Sequence, residues 1–317
     1  MNTEMQSARE VPVLFLVFNR PAHTAQVFER IRDLQPVRLL ISADGPRPDV
    51  TGDKESCDAV REIVSNIDWD CTVSTRFDEI NLGCRYGPVA GLDWAFQQVE
   101  QAIILEDDCL PDQTFFHFCA ELLQRYRNNP QVMTIGGHRW EGPDLSDADS
   151  YYFSRYPATW GWATWSDRWA KFDIEMREWP DLRDSPWLET LLCDRSALNY
   201  WQRIFDSMNQ GLDAWDYAWL FSCWRAGAFS IRPNTNLVTN IGFGESATHT
   251  HQPGHPASRP ASNMNFPLKH PNNIGTEKET EELIEWVNFS GVTTRQVRGV
   301  GRHIKARRLN NTSSSND

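Results

Sequence analysis

The sequence lacks the features of membrane-spanning, disulfide-stabilised and nucleic-acid-binding proteins. No apolar stretch approaches the roughly 20 residues needed to span a bilayer. The 7 cysteines lie far apart without zinc-type spacing, which is typical of reduced thiols. Lys and Arg number 31 against 43 Asp and Glu, and the formal net charge of −12 argues against general binding to nucleic acid. The polar N-terminus shows no signal-peptide pattern, so we expect a cytoplasmic protein.

Tryptophan, by contrast, is abundant. The chain has 14 Trp in 317 residues, clustered between Trp140 and Trp224. Such residues can be core mass, which is the default interpretation, or they can stack on sugar rings.

Strand and helix patterns alternate in the first half of the chain. Continuous apolar runs predict buried strands, namely Val11–Phe18, Val37–Ser42, Cys71–Thr75, Ala102–Leu105 and Val132–Ile135. The alternation predicts an α/β fold with a mostly parallel sheet flanked by helices. Two of those helices are expected to begin at Cys57 and at Pro88, and Asp112 is expected to cap a third.

The composition divides the chain into three parts. Residues 1–150 form a predicted nucleotide-sugar-binding half, and the aromatic-rich residues 151–250 a predicted acceptor-binding half of the same domain. Residues 251–317 are expected to be irregular and include a basic stretch from Arg295 to Arg308. A solvated helix is the default interpretation of that stretch, and contact with the inner face of an anionic membrane is the alternative.

Three consecutive carboxylates, Glu106, Asp107 and Asp108, follow the fourth predicted strand. Adjacent like charges resist burial and need water or a counter-cation. Oxygen ligands suit Mg²⁺ or Mn²⁺, which in turn would hold a diphosphate. A solvated turn or a helix cap is the alternative interpretation of this acidic triplet.

Polar residues follow two other strands. Asn19 and Arg20 end the first strand, and Asp44 ends the second. Ligands of parallel sheets bind beyond the carboxyl ends of the strands, so we expect these residues and the acidic triplet to share one site. Arg20 suits a phosphate or a base, and Asp44 could accept the imide N–H of uracil.

Further candidate residues lie in loops. Arg85, in the loop from Gly83 to Pro88, could meet phosphates together with backbone N–H groups. Asp213 and Asp216, at a predicted helix start, could each be a catalytic base or a helix cap. His249, in a polar loop, could add a metal ligand.

Several motifs together resemble those of GT-A glycosyltransferases, especially animal N-acetylglucosaminyltransferases of N-linked and O-mannosyl glycans, and bacterial polysaccharide sugar transferases. They occur in this order over residues 11–250: Asn19-Arg20-Pro21, Ala43-Asp44-Gly45, Glu106-Asp107-Asp108, Gly161-Trp162, Trp215-Asp216 and Ile231-Arg232-Pro233. The resemblance implies a GT-A fold that uses a UDP-sugar.

The resemblance also implies roles for single residues. Arg20 and Asp44 would hold the uridine diphosphate, Glu106 and Asp107 would contact donor sugar and ribose, and Asp108 would ligate Mn²⁺. The animal enzymes place their base in a Trp-Asp-Asp pattern, which is Trp215-Asp216-Tyr217 here. Tyr217 replaces the second Asp, so Asp216 is the expected base and Asp213 the reserve.

The sequence therefore predicts a metal-dependent glycosyltransferase with a UDP-sugar donor and a glycan or glycolipid acceptor, and the resemblance implies that transfer inverts the configuration. One alternative is a sugar-phosphate nucleotidylyltransferase, which usually needs a Gly-rich first loop where this chain has Asn19-Arg20-Pro21. Another is a non-catalytic carbohydrate-binding protein built on the Trp cluster, which would not need acids at the strand ends.

Overall fold

The computed structural model describes residues 3–139, 149–242, 259–276 and 278–289. The helices there are α1 (Thr3–Glu10), α2 (Pro21–Leu34), α3 (Asp53–Ser65), α4 (Gly83–Phe96), α5 (Gln113–Tyr126), α6 (Ser166–Trp169), α7 (Trp179–Arg183), α8 (Trp187–Leu191), α9 (Arg195–Asn209), α10 (Asp216–Arg225) and α11 (Lys278–Phe289). The strands are β1 (Val13–Val17), β2 (Arg38–Ala43), β3 (Thr72–Phe77), β4 (Gln101–Glu106), β5 (Cys109–Pro111), β6 (Val132–Gly136), β7 (Tyr151–Ser154), β8 (Trp162–Trp165), β9 (Phe229–Pro233) and β10 (Val238–Asn240).

Eight strands form one sheet in the order β3-β2-β1-β4-β8-β6-β9-β7. Strands β3, β2, β1 and β4 are parallel to one another, and β6 is parallel to β9. Strand β8 is antiparallel to both β4 and β6, and β7 is antiparallel to β9. Helices pack on this sheet, so the predicted α/β class with a mostly parallel sheet is confirmed. Strands β5 and β10 pair separately as an antiparallel ribbon.

The apolar strands are explained by burial on both faces of the sheet. Along β1, Val13, Phe15 and Val17 belong to one core cluster, whereas Leu14 and Leu16 belong to another. Side chains of a strand alternate between its faces, so a strand covered on both sides must be apolar throughout.

Two predicted helix starts were wrong, because each helix begins earlier than its local pattern indicated. Helix α3 begins at Asp53 rather than Cys57, and the Asp53 carboxylate accepts a hydrogen bond from the backbone N–H of Arg47. Helix α4 begins at Gly83, with Pro88 inside it rather than at its start. Proline normally marks a helix start because it lacks an N–H.

The prediction of an irregular chain after residue 250 was wrong for α11. This helix buries Leu283 and Ile284 together with two glutamates, Glu281 and Glu285. The Glu285 carboxylate accepts hydrogen bonds of 2.7 Å from two backbone N–H groups just before α9. Only the fold supplies these partners. The predicted basic stretch at 295–308 lies outside the described residues.

Within the described ranges, no helix has both the length and the apolar character required to cross a bilayer.

Candidate active site

The acidic triplet lies at the end of β4, beside the end of β1. The guanidinium of Arg20 is 2.9 Å from the carboxylate of Asp108 and 3.4 Å from that of Asp107. Asp107 also accepts a 3.4 Å hydrogen bond from the backbone N–H of Phe18. The parallel register places Leu16 opposite Glu106, which is why residues 88 positions apart meet here. The expected meeting of Arg20 with the triplet is therefore observed.

These carboxylates hold more negative charge than Arg20 offsets. Burial, reinforced by the charge of Asp108, raises the pKa of Asp107 to about 7. Burial also raises the pKa of Glu106 well above its usual value, with Asp108, Asp107 and Asp216 adding repulsion. A cluster of this kind favours a proton or a second cation.

The triplet fits a divalent cation that takes only part of its coordination shell from the protein. The parts of the chain described above contain no group of three His, Cys, Asp or Glu side chains arranged to hold a metal ion. Mg²⁺ and related ions commonly bind through one or two carboxylates and take their other ligands from water and phosphate oxygens. Asp108 keeps a 15% exposed side chain and is suited to such a contact.

A loop that follows β10 packs directly on Asp108. The backbone N–H of Ile241 donates a 2.8 Å hydrogen bond to the Asp108 carbonyl. A Cβ at Gly242 would lie 2.3 Å from Asp108 Oδ2, which is closer than real side chains approach. His23 contacts the Ile241 carbonyl at 3.1 Å and holds this loop to α2. Only His249 was singled out from the sequence in the loop that begins here, and Gly242 was missed.

Asp44 lies at the same edge, but its carboxylate is already occupied. Oδ1 accepts 2.8 Å hydrogen bonds from the N–H groups of Gly45 and Leu82. Oδ2 accepts from Asn81 at 3.0 Å and from Gly83 at 3.2 Å. A carboxylate has about four acceptor positions. Asp44 therefore anchors the loop before α4 in this structure, and its role as acceptor of the imide N–H of uracil stays a prediction.

The first turn of α4 is held from its other side by Asp213. The backbone N–H of Arg85 donates to Asp213 Oδ1 at 2.7 Å, and that of Cys84 donates to Oδ2 at 3.4 Å. These N–H groups were predicted to face phosphates, and they instead face two carboxylates. Helix α4 thus starts upstream of Pro88 because tertiary contacts cap it.

Arg85 also differs from its prediction as a donor-binding residue. Its guanidinium donates to the carbonyls of Met208 and Ile174, both at 3.3 Å, and lies 3.4 Å from the Glu175 carboxylate. The side chain is only 10% exposed. Arg85 therefore joins α4 to the second half of the chain, and its observed contacts do not include the acidic triplet.

Asp216 begins α10 and lies near enough to Glu106 to influence its pKa. Its charge contributes to the raised pKa of Glu106 and to that of the Cys84 thiol, which burial chiefly raises to about 12. The neighbouring Trp215 is packed against Trp162 and Trp169, with ring centroids 5.8 and 6.2 Å apart. The structure therefore brings Asp216 to the edge of the sheet where the triplet lies.

Asn19 contacts a residue that the sequence did not single out. Its side-chain amide donates a 2.5 Å hydrogen bond to Asp53, which also receives hydrogen bonds from Arg47. The bonds from Arg47 are the main reason that the pKa of Asp53 falls to about 2. Asn19 thus ties the end of β1 to the start of α3.

The tryptophans of the second half are mostly core. Eight of them are buried, namely Trp162, Trp165, Trp169, Trp179, Trp201, Trp215, Trp219 and Trp224. Buried rings cannot stack on a sugar, which weakens the interpretation of a carbohydrate-binding module. His249, the predicted additional metal ligand, lies outside the described residues.

No protein-family profile matches the sequence, and no curated protein matches it. A solved structure of GalNAc-T7 with UDP, GalNAc and Mn2+ is similar over 71% of this chain and 42% of that chain, with a TM-score of 0.42 and 10% identity. UDP-glucose pyrophosphorylase complexed with UDP-glucose is similar over 45% of this chain and 62% of that chain, with a TM-score of 0.27 and 11% identity. This chain thus matches less than two thirds of either protein. Any function has to follow from the site itself.

Proposed function

We propose that this protein is a metal-dependent glycosyltransferase of the GT-A type that moves a sugar from a UDP-sugar to a hydroxyl of a glycan or glycolipid. The observation that carries the proposal is the cluster of carboxylates at the end of β4, where Asp107 and Asp108 contact Arg20 and where Asp216, at the start of α10, adds to the repulsion on Glu106. A divalent cation with a bound diphosphate would offset this charge. Ligands of parallel sheets bind at this edge.

In this proposal Asp108 and Arg20 bind the donor. Asp108 would hold Mn²⁺ or Mg²⁺, which when bound stabilises the charge of the departing diphosphate. Arg20, 20% exposed beside Asp108, would face the same diphosphate as a second positive group.

The acceptor side would be served by Asp216. A carboxylate within hydrogen-bonding reach of the acceptor hydroxyl would take its proton as that oxygen attacks the anomeric carbon. Attack from the face opposite the diphosphate would invert the configuration. Glu106 and Asp107 would then contact the sugar and the ribose between the two centres.

Substitution of Asp108 tests the proposal directly. Asp108→Ala removes the carboxylate that would hold the metal, so calorimetry should show Mn²⁺-dependent UDP affinity reduced at least about tenfold. The matched control is Asp167→Ala, because the Asp167 carboxylate is half-exposed and bound to Arg127 and Arg168. Equal UDP affinity in the Asp108→Ala variant and the parent protein, both folded by circular dichroism, would refute the metal role of Asp108.

The reaction product separates the two enzyme classes raised by the sequence. A glycosyltransferase releases UDP when an acceptor is supplied, whereas a nucleotidylyltransferase consumes or releases pyrophosphate. Phosphorus NMR of the turnover mixture distinguishes these products, and appearance of pyrophosphate would overturn the proposal.

A further inference from the structure

Asp213 connects two parts of the molecule that are distant in sequence. It accepts the Arg85 N–H at 2.7 Å and the Cys84 N–H at 3.4 Å, across 128 and 129 sequence positions. These donors belong to the first turn of α4, where unpaired N–H groups carry partial positive charge. The Asp213 carboxylate therefore acts as a helix cap supplied by another segment.

The same turn is also attached to the sheet. Asp44, which follows β2, accepts the N–H groups of Leu82 and Gly83. A Cβ at Gly87 would lie 2.9 Å from Asp44 Oδ2, so α4 approaches this carboxylate as closely as a helix can. Four successive N–H groups, from residues 82 to 85, are thus divided between two carboxylates that belong to opposite halves of the chain.

Asp213 stands three residues before Asp216, in the turn that leads into α10. Trp215 between them is fixed by its packing on Trp162 and Trp169. The start of α10 is therefore attached to the aromatic core through Trp215 and to the first turn of α4 through Asp213. Loss of the second attachment would let Asp216 shift relative to the acidic triplet.

We infer that Asp213 is a positioning residue that holds Asp216 in place against the donor side of the site, and that Asp213 is not itself the base. The inference rests on the proposed function and deepens it. Both oxygens of Asp213 accept hydrogen bonds from the backbone of α4, so movement of this carboxylate towards an acceptor hydroxyl would break the cap.

Two substitutions at one position separate the two roles. Asp213→Asn keeps an oxygen that can accept the Arg85 N–H, but it cannot act as a base. We expect this variant to retain kcat for sugar transfer within about fivefold. Asp213→Ala removes the cap, and kcat should fall about 10- to 100-fold because small misplacements of reacting groups are costly. The donor KM and the Mn²⁺-dependent UDP affinity should change less than about twofold in both variants.

The pH profile of kcat provides a readout that a purely structural role would not affect. The acid limb, which reports the base, should persist in Asp213→Asn and disappear in Asp216→Asn. Asp194→Ala is the matched control, because Asp194 also caps a helix through two backbone N–H groups, at 2.7 and 3.1 Å, at the start of α9.

The outcomes are distinct. An Asp213→Asn variant as inactive as Asp213→Ala, with its acid limb lost, would make Asp213 the base and overturn the inference while leaving the proposed function intact. Full activity of Asp213→Ala would also overturn it. Absence of sugar transfer by the parent protein with every UDP-sugar tested would overturn both.

Discussion

At the scale of single residues, the site depends on close contacts that leave little room for change. Gly242 and Asp108 are an example, since the backbone of one rests on the carboxylate of the other. Asp44 is another, because four donors occupy its oxygens. Such residues act through what they exclude or anchor. The sequence motifs included Asp44 but showed neither its four donors nor the close approach of Gly242 to Asp108.

Gly242→Ala is expected to impair metal binding without unfolding the protein. The new Cβ would stand 2.3 Å from Oδ2 and 3.0 Å from the Cβ of Asp108, so rotation of the carboxylate alone cannot relieve the contact. Calorimetry should show Mn²⁺-dependent UDP affinity reduced about 10- to 100-fold.

Gly211→Ala serves as the control for Gly242→Ala, because nothing lies within 4 Å of a Cβ at Gly211. Alanine is strained at the φ of +96° found at Gly211, so Gly211→Ala should lower the stability of the protein. It makes no new contact with Asp108, so its UDP affinity should be unchanged. Unaltered UDP affinity in Gly242→Ala would show that Asp108 does not need its present position.

At the scale of elements, hydrogen bonds at helix ends join segments that are distant in sequence. Helix α4 is capped from two halves of the chain, and α11 sends Glu285 to the amides that precede α9. Helix propensity is a weak local preference, and tertiary contacts routinely override it. The start of α4 therefore could not be located from local sequence alone.

Helix α11 should make stability depend on pH through Glu281. This side chain is fully buried, and burial raises its pKa to about 7. A carboxyl with a pKa raised on folding favours the native state below about pH 4.5, and this contribution is lost as the pH rises through 7. Glu281→Gln should resemble the protonated form, and the free energy of unfolding should exceed that of the parent protein at pH 8 by on the order of 1–3 kcal/mol.

The difference at Glu281 should shrink towards zero near pH 5. Urea denaturation followed by tryptophan fluorescence at pH 5, 6.5 and 8 measures it. Glu282→Gln is the matched control on the same helix, since the Glu282 side chain is 49% exposed. A pH-independent difference between Glu281→Gln and the parent protein would contradict the expected titration.

At the scale of the whole molecule, both halves of the chain belong to one sheet. Strands β7, β8 and β9 come from the second half, and β8 pairs with β4 directly beside the acidic triplet. The aromatic core formed by residues such as Trp162 and Trp219 fixes α10 against this sheet. The donor and acceptor sides of the proposed site are thus parts of one packed unit.

A ligand that binds the native state should therefore stabilise the whole unit. With UDP and Mn²⁺ each far above their dissociation constants, the melting temperature should rise by about 5 °C, since a hundredfold excess over Kd is worth about 2.7 kcal/mol. UDP without a divalent ion should raise it less, as should GDP or dTDP with Mn²⁺. Differential scanning fluorimetry measures these shifts, and an identical response to all three nucleotides would contradict uridine selectivity.

Much of the fold was accessible from the sequence because it follows from local patterns. Apolar runs such as that of β1 predict strands covered on both faces, and alternation with helices predicts a mostly parallel sheet. The short strands β7 and β8 were not predicted, because four-residue segments rich in Tyr and Trp carry little periodic signal. Helix α11 was missed because its glutamates find their partners only in the folded protein.

The sequence alone determined which charges gather at one edge. Strands that are followed by Asn19-Arg20 and by Glu106-Asp107-Asp108 place these residues at the carboxyl edge of a parallel sheet. The pairing of β1 with β4, which the fold decides, then puts Arg20 next to the triplet. The tertiary structure alone decided which carboxylates remain available for chemistry. Asp44 and Asp213 accept hydrogen bonds from backbone N–H groups at the start of α4, and Gly242 lies against the carboxylate of Asp108. These contacts join segments that meet only after folding, so the sequence could not show them.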